Sequence, residues 1–473
     1  MKKIFFLLIL PLSLQAQKDY SALLDNYMQS SVEINNFYGN VLIAKTGNVI
    51  YQKSFGYKDF QTKFPLDKNS MFEIGGVTEQ FTSAAIMLLI ERNKLKFTDN
   101  ITTFFPEFPY KTITIWHLLT STSGLPEFYE EVMKDRWTEK RLASNSDMIH
   151  YLSLVNVPLH FQPGQKYERT GTGFALLASV IEKITGLSYR DFLQQNIFNP
   201  LQLKHTTVLL GAHAHKTANA EYAQAIAYDE IAKKYLPADS LSPEFSAFFP
   251  NIISITDSVA GIANIISTTG DLLLWDRALK NNTLLNAKTQ KEMFAPHVLI
   301  DTASQIFYGY GTMVGKNELG NYVMSQELGN FSLGFSTSLI RYTGNDITII
   351  VVSNKAKEGL SQRISGALSY ILYNREVVPL YVHKEVSIDT SLLDRYVGKY
   401  SMPLIIELVK RDGKLYRHRA GVPDTELKAE SPTKFFYVSD NADEQLEFVT
   451  DKDGKVVKAY YIGNGLKKEI KKL

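Results

Sequence analysis

The chain contains no cysteine. That excludes disulfides, thiolate nucleophiles, cysteine-ligated zinc and a lipidated N-terminal cysteine. It also lacks a charge excess. Lys and Arg number 51 against 49 Asp and Glu, and a net +2 gives no electrostatic case for nucleic acid or an anionic membrane. Beyond the first residues no apolar run is long enough to span a bilayer. Internal repeats and low-complexity tracts are missing too. The 45% hydrophobic and 21% charged residues fit a folded globular protein, and 473 residues exceed one ordinary compact domain, so two or three units are expected.

What is present begins at the N-terminus. Met1-Lys2-Lys3 is followed by 4-IFFLLILPLSL-14 and 15-QAQ-17, the basic, apolar and small-residue order of an export signal, with cleavage after Ala16. Residues 1–16 are therefore read as a signal peptide and the protein as exported, periplasmic or secreted, with no transmembrane segment after signal removal.

Next, 40-NVLIAKTGNVIYQKSFGYKD-59 reads as a hairpin around a Gly-Asn turn. In 72-FEIGGVTEQFTSAAIMLLIE-91, apolar residues cover nearly every side of a helix, which marks it as central to the core. Strand patterns return in 331-FSLGFSTSLIRY-342 and 346-DITIIVVSN-354, followed by a helix over 361-SQRISGALSYILYN-374. The arrangement predicts an α+β fold, a helical region packed on a central antiparallel sheet. A Pro-containing connector, 375–391, separates this unit, residues 17–380, from a C-terminal unit, residues 388–473. There, short alternating strands and turn signals at Asp412-Gly413, Asp453-Gly454 and Asn464-Gly465 predict a small all-β meander, a barrel or a sandwich. The terminal lysines 467, 468, 471 and 472 read as a solvated strand.

The central helix and its surroundings carry a resemblance. The stretch 72-FEIGGVTEQFTSAAIMLLIERNKLKFTDNITTFFPEFP-109, then 113-ITIWHLLTSTSGLP-126 and 161-FQPGQKYERTGTGFALLASV-180, resemble the serine β-lactamase and penicillin-binding-protein family, class C β-lactamases in particular. The resemblance covers most of residues 30–375 and implies the β-lactamase-like fold, while the C-terminal unit is similar to the small β-domain often appended to such proteins. It also implies a catalytic set: the serine and lysine of S-x-x-K, the tyrosine of Y-x-N, a K-T-G or H-x-G strand element, and two backbone N–H groups for the oxyanion.

Those positions fall here on Gly76 for the serine, Glu79 for the lysine, Arg169 for the tyrosine, Gly171 for the asparagine, and Leu328 and Asn330 in the strand element. No catalytic side chain is expected to remain. Glu79 and Arg169, of opposite charge where neighbouring catalytic groups would stand, are expected to pair. Glu79 alone also suits a helix's first turn.

Candidate ligand contacts are Gly76, Glu79, Arg169, Thr170 and Phe331, the backbone N–H groups of Gly76 and Phe331 included. The ligand would be a peptidoglycan-derived or other carboxylate-bearing small molecule, or the partner an envelope protein. No cofactor and no metal are expected. His213 and His215 lack a carboxylate partner, and Asp451 and Asp453 lack the glutamate of a calcium loop. Ser431-Pro432-Thr433-Lys434 spells S-x-x-K inside the β-domain and is read as chance. Tyr167 is read as packing, Ser121 as loop support, and Thr82 as facing away from the helix mouth. The function expected is a non-catalytic binding or regulatory protein of the cell envelope. The alternative is a hydrolase with relocated chemistry, Glu79 acting as base on a water and Arg169 as oxyanion clamp.

Overall fold

The structure, a computed structural model, describes residues 19–473 apart from 156, 212–219, 242–250, 327–333, 356–358, 402–404, 420 and 440–441. Residues 1–16, His213, His215, Leu328, Asn330 and Phe331 lie outside the described residues.

An eight-stranded antiparallel sheet forms the centre. Its strand order is Val298–Asp301, Ile306–Tyr308, Met313–Asn317, Gly320–Gln326, Ser336–Tyr342, Ile347–Ser353, Gly39–Lys45 and Asn48–Phe55. The first and last parts of the chain thus meet in mid-sheet, where Gly39–Lys45 pairs with Ile347–Ser353. Successive side chains of a strand face opposite sides. Leu42, Ala44, Ile350 and Val352 accordingly enter the core on one face, with the helix Thr78–Glu91. Val41, Ile43, Ile349 and Val351 enter the core on the other, with the helices Ser21–Asn35 and Leu360–Leu372. Covering both faces explains why these strands read as continuous apolar runs rather than alternating ones.

The first hairpin forms where the sequence places it, with its turn one residue earlier, at Thr46-Gly47. Both turn residues have positive φ, 50° and 83°, as a two-residue hairpin turn requires, so Asn48 is released to begin the strand.

The helix Thr78–Glu91 is buried from Thr78 through Leu89. A short 3-10 turn, Gly75–Val77, leads into it. Gly75 has φ +51°, a left-handed conformation that glycine adopts without a Cβ penalty. The tight entry thus accounts for the first glycine of the pair.

Eight strands from Gly398–Ser401 to Leu466–Lys472 close into a C-terminal barrel. Tyr396, Tyr400, Leu408, Leu415, Phe435, Leu446 and Phe448 belong to its core, so the barrel is filled by its own side chains. Asn464 and Gly465, φ +50° and +86°, make the last hairpin turn. Asp451 accepts the backbone N–H groups of Asp453 and Lys455, an ordinary hairpin turn. The terminal lysines are less solvated than expected: Lys468 pairs with Glu318 at 2.7 Å, and Lys467 with Glu376 at 3.1 Å and Glu447 at 3.2 Å. Lys468 therefore ties the barrel to the large sheet unit.

The connector is pinned at its middle by His383, whose side chain is 4% exposed. Its Nδ1 faces Glu430 Oε1 at 3.2 Å and its Nε2 faces Asp443 Oδ1 at 2.9 Å. A neutral imidazole donates from one nitrogen only, so satisfying both carboxylates requires the imidazolium. Burial opposes that charge, yet Asp443 and Glu430 together raise the pKa. A raised pKa means that the contribution is complete below the unfolded value near 6.5 and is lost as pH rises through the folded value. The connector should become more susceptible to limited proteolysis over that rise. His383→Gln should remove the pH dependence and destabilise the connector by about 2 kcal/mol.

Candidate functional site

The site lies where the first turn of the helix Thr78–Glu91 meets the segment preceding the helix Gly171–Thr185. Arg169 Nη2 stands 2.7 Å from Glu79 Oε1, the pairing expected from their opposite charges. The N–H directions of the guanidinium miss that oxygen, so the contact is ionic rather than a directed hydrogen bond. Glu79 is 3% exposed and Arg169 22%, so the acid is the buried partner. On its other oxygen, Oε2, Glu79 accepts a hydrogen bond from Tyr308 Oη at 3.0 Å. Burial and the Glu79 charge hold the Tyr308 phenol well above its usual pKa. It is a firm donor and a poor base.

Tyr308 went unnoticed in the sequence. The signal was available in Tyr308-Gly309-Tyr310-Gly311. Gly311 has φ +67°, and a Cβ there would lie 2.5 Å from the backbone oxygen of Glu79. Glycine thus lets the sheet edge press onto the helix and deliver Tyr308 to the carboxylate. The Tyr167 ring packs against Tyr308 with centroids 5.1 Å apart, consistent with a packing role.

A second carboxyl group, Glu127, was also missed. Its Oε2 accepts the Gly171 N–H at 2.7 Å and the Thr170 hydroxyl at 3.1 Å. Glu127 therefore occupies the N-terminus of the helix Gly171–Thr185, a position that attracts anions. Burial nevertheless raises its pKa to about 7, against the lowering effect of Gly171, Thr170 and Arg169. Thr170, a candidate ligand contact, is committed to this carboxyl and to capping Thr172 N–H.

The segments around 121–131 and 160–172 are stitched together. Glu168 N–H donates to the Ser121 carbonyl at 2.9 Å and Phe128 N–H to Thr172 Oγ1 at 2.8 Å. At the rim, His160 lies between Glu168 and Glu131. Ser121, with φ +53°, thus supports the segment that carries Arg169. Thr82 faces away, bonded to Tyr189 Oη at 2.6 Å and to the Gly261 carbonyl at 2.9 Å. Ser431 and Lys434 flank a barrel hairpin turn, far in sequence from this site.

A model of the family described as Beta-lactamase matches residues 24–368. The chain belongs to the Beta-lactamase family. A penicillin-binding protein of Bacillus subtilis (strain 168) is 32% identical over 410 residues, which cover 85% of this chain and 88% of that one. Among solved structures, a penicillin-binding protein from Bacillus halodurans superposes with a TM-score of 0.61 at 22% identity, over 72% of this chain and 99% of the other. An octameric penicillin-binding protein homologue from Pyrococcus abyssi gives 0.65 at 19% identity, over 95% and 99%. At these identities the two structures show the fold alone.

Within this Beta-lactamase fold, the place where a residue-171 side chain would start is already crowded. A Cβ added to Gly171 would lie 3.2 Å from Ile262 Cδ1 and 3.3 and 3.4 Å from the two Glu127 oxygens. Gly76 sits buried in the 3-10 turn at the mouth of the central helix. Among the described residues, no cluster of three His, Asp or Glu side chains converges to hold a metal, and no helix is long and apolar enough to cross a membrane.

Proposed function

We propose that this member of the family is an exported protein that binds a ligand or partner in the cell envelope without forming an acyl-enzyme. The Glu79–Arg169 pair, capped by Tyr308, carries the reading. At the mouth of the central helix, Gly76 offers no hydroxyl, and the group one turn on is a carboxylate in ionic contact with Arg169 at one oxygen and hydrogen-bonded by Tyr308 at the other. A general base needs a lone pair directed at its substrate's proton. Glu79 is 3% exposed and lies against Arg169 and Tyr308, which leaves little access for a water and weighs against the hydrolase with relocated chemistry.

The ligand class we favour is a peptidoglycan-derived or other carboxylate-bearing small molecule, with an envelope protein as the alternative partner. The naming of relatives as penicillin-binding proteins supports a wall-related ligand. The division into a unit at 17–380 and a β-domain at 388–473 is part of the proposal, as is removal of residues 1–16 on export.

A fluorescent penicillin should leave the purified protein unlabelled, and a panel of esters and amides should show no turnover above background. Labelling abolished by changing a single Ser or Thr, or turnover lost in Glu79→Gln, would overturn the reading.

A further inference from the structure

A lysine and four tyrosines gather just past the end of the strand Ile347–Ser353, and none of them belongs to the Glu79–Arg169 site. Lys355 Nζ lies 4.5 Å from the centre of the Tyr38 ring and 4.0 Å from that of Tyr235. Tyr38 meets Tyr57 edge to face with centroids 5.7 Å apart, and Tyr235 meets Tyr228 in the same way at 5.2 Å. The groups therefore follow one another as Tyr57, Tyr38, Lys355, Tyr235 and Tyr228.

Local structure holds this row in place. Tyr228 and Tyr235 are directly opposite in the hairpin of Ile226–Asp229 and Lys234–Pro237, so both rings stand on one face of it. A bridge between Ile226 and Lys355 fixes that hairpin to the sheet, and the Ile226 N–H donates to the Asn354 carbonyl at 2.8 Å. The Asn354 side-chain amide donates in turn to the Tyr57 carbonyl at 3.1 Å. Gly56 has φ +83°, and a Cβ there would run into the Tyr38 ring, so glycine lets that ring lie against the backbone.

The row reaches solvent. Tyr228 is 37% exposed, and Tyr38, Tyr57 and Tyr235 are partly exposed. None of the four phenol hydroxyls finds a partner among the described residues, and none is closed off from solvent. Lys355 is 6% exposed, and its Nζ makes neither a hydrogen bond nor an ion pair with a described residue; the two ring faces hold the charge instead. Burial draws its amine down to about 8, so it is charged at pH 7. Acids and bases of the segments 57–65 and 226–237, taken with Glu221, balance four against four, which leaves Lys355 as the surplus charge.

We propose that this row is a glycan-binding subsite for an acidic sugar chain, with sugar rings resting on Tyr228 and Tyr235 and a sugar carboxylate drawn by Lys355. A tyrosine offers an apolar face and a polar tip. A pyranose offers the complement, a face of C–H groups and a rim of hydroxyls, and the four unpartnered phenols supply the hydrogen bonds. The contact surface is the exposed rings. Lys355 acts from just behind them, so the carboxylate need not enter the cage. Attraction between unit charges about 4 Å apart in water amounts to about fivefold in Kd. The subsite shares no residue with the Glu79–Arg169 site and is tested independently of it.

A hyaluronan hexasaccharide, which carries glucuronate, and neutral chitohexaose of the same length serve as probes, titrated calorimetrically into the full chain at pH 7 and low salt. Both should bind, the acidic chain about fivefold more tightly. Added salt should shrink that preference and leave chitohexaose binding unchanged. Lys355→Met should bring the two Kd values together. Tyr228→Ala should weaken both probes by about fivefold. Tyr228 is exposed, so this variant should keep the wild-type urea midpoint, which separates a lost contact from a lost fold. Binding of neither probe, equal wild-type affinity for the two, a preference undiminished in Lys355→Met, or wild-type binding by Tyr228→Ala would each overturn the proposal.

Discussion

Arg169→Met should lower the unfolding free energy of the large unit by about 3 kcal/mol, toward the lower end of the range for breaking a buried pair. The reason is what remains. Glu79 is 3% exposed, and without the guanidinium its charge would keep only the Tyr308 hydrogen bond. The low end applies because Arg169 itself reaches water at 22% exposure. The double variant Glu79→Gln with Arg169→Met should lose much less, about 1 kcal/mol, since no charge is then left buried and the Gln carbonyl can still accept from Tyr308. Tyr308→Phe should fall between, at about 1–2 kcal/mol, for one lost hydrogen bond to a charged group. Urea unfolding of these three variants and of Glu79→Gln, followed by the tryptophan fluorescence of the large unit, reads the differences directly. A strongly negative coupling between positions 79 and 169 is expected from their contact. Equal losses in the single and double variants would show that the two groups do not depend on each other.

The sequence disclosed some parts of this arrangement and hid others, for separable reasons. The central helix was legible because burial on every side demands apolar residues on every side, and 81-FTSAAIMLLI-90 supplies them. The Glu79–Arg169 pair was legible because two positions of a recognisable fold had changed together in charge. Tyr308 and Glu127 were not, because nothing local marks them. Each reaches the site through a long-range approach: Tyr308 across 229 residues from Glu79, and Glu127 across 44 from Gly171. Their signals were indirect, a glycine at 311 that lets the strand approach and a glycine at 171 that leaves room for a carboxyl group. The His383 clamp was hidden in the same way, since its carboxylates lie 47 and 60 residues away. The barrel's closure was beyond reach as well. A meander of alternating strands fits a sandwich equally, and what decides is the pairing of Gly398–Ser401 with Leu466–Lys472.

Restoring the serine machinery is the second large test, and the structure shows why the simplest version should fail. Gly76→Ser, Glu79→Lys, Arg169→Tyr and Gly171→Asn would supply the serine, lysine, tyrosine and asparagine that the family resemblance expects, leaving the strand element at Leu328 and Asn330 unchanged. Position 171 is tight for an amide. A Cβ there would lie 3.2–3.4 Å from Ile262 and both oxygens of Glu127, so those neighbours must give by a few tenths of an ångström before the asparagine fits. Glu127, whose charge already acts on position 169, would also favour the charged, non-basic form of a lysine at the adjoining position 79. The four-residue variant should therefore show no penicillin labelling and a clear loss of stability, about 2–3 kcal/mol, from overpacking and the displaced carboxyl. Adding Glu127→Ala removes both obstacles. The five-residue variant should regain most of the stability and, if the backbone around Gly76 still presents an oxyanion site, acquire slow covalent labelling by a fluorescent penicillin. That labelling should vanish when Gly76→Ser is left out of the set and the other four changes are kept. Labelling of the four-residue variant at the same rate as the five-residue one would show that Glu127 does not occupy the place of the missing side chain. Glu127 would then have to be regarded as a bystander to the Glu79–Arg169 site.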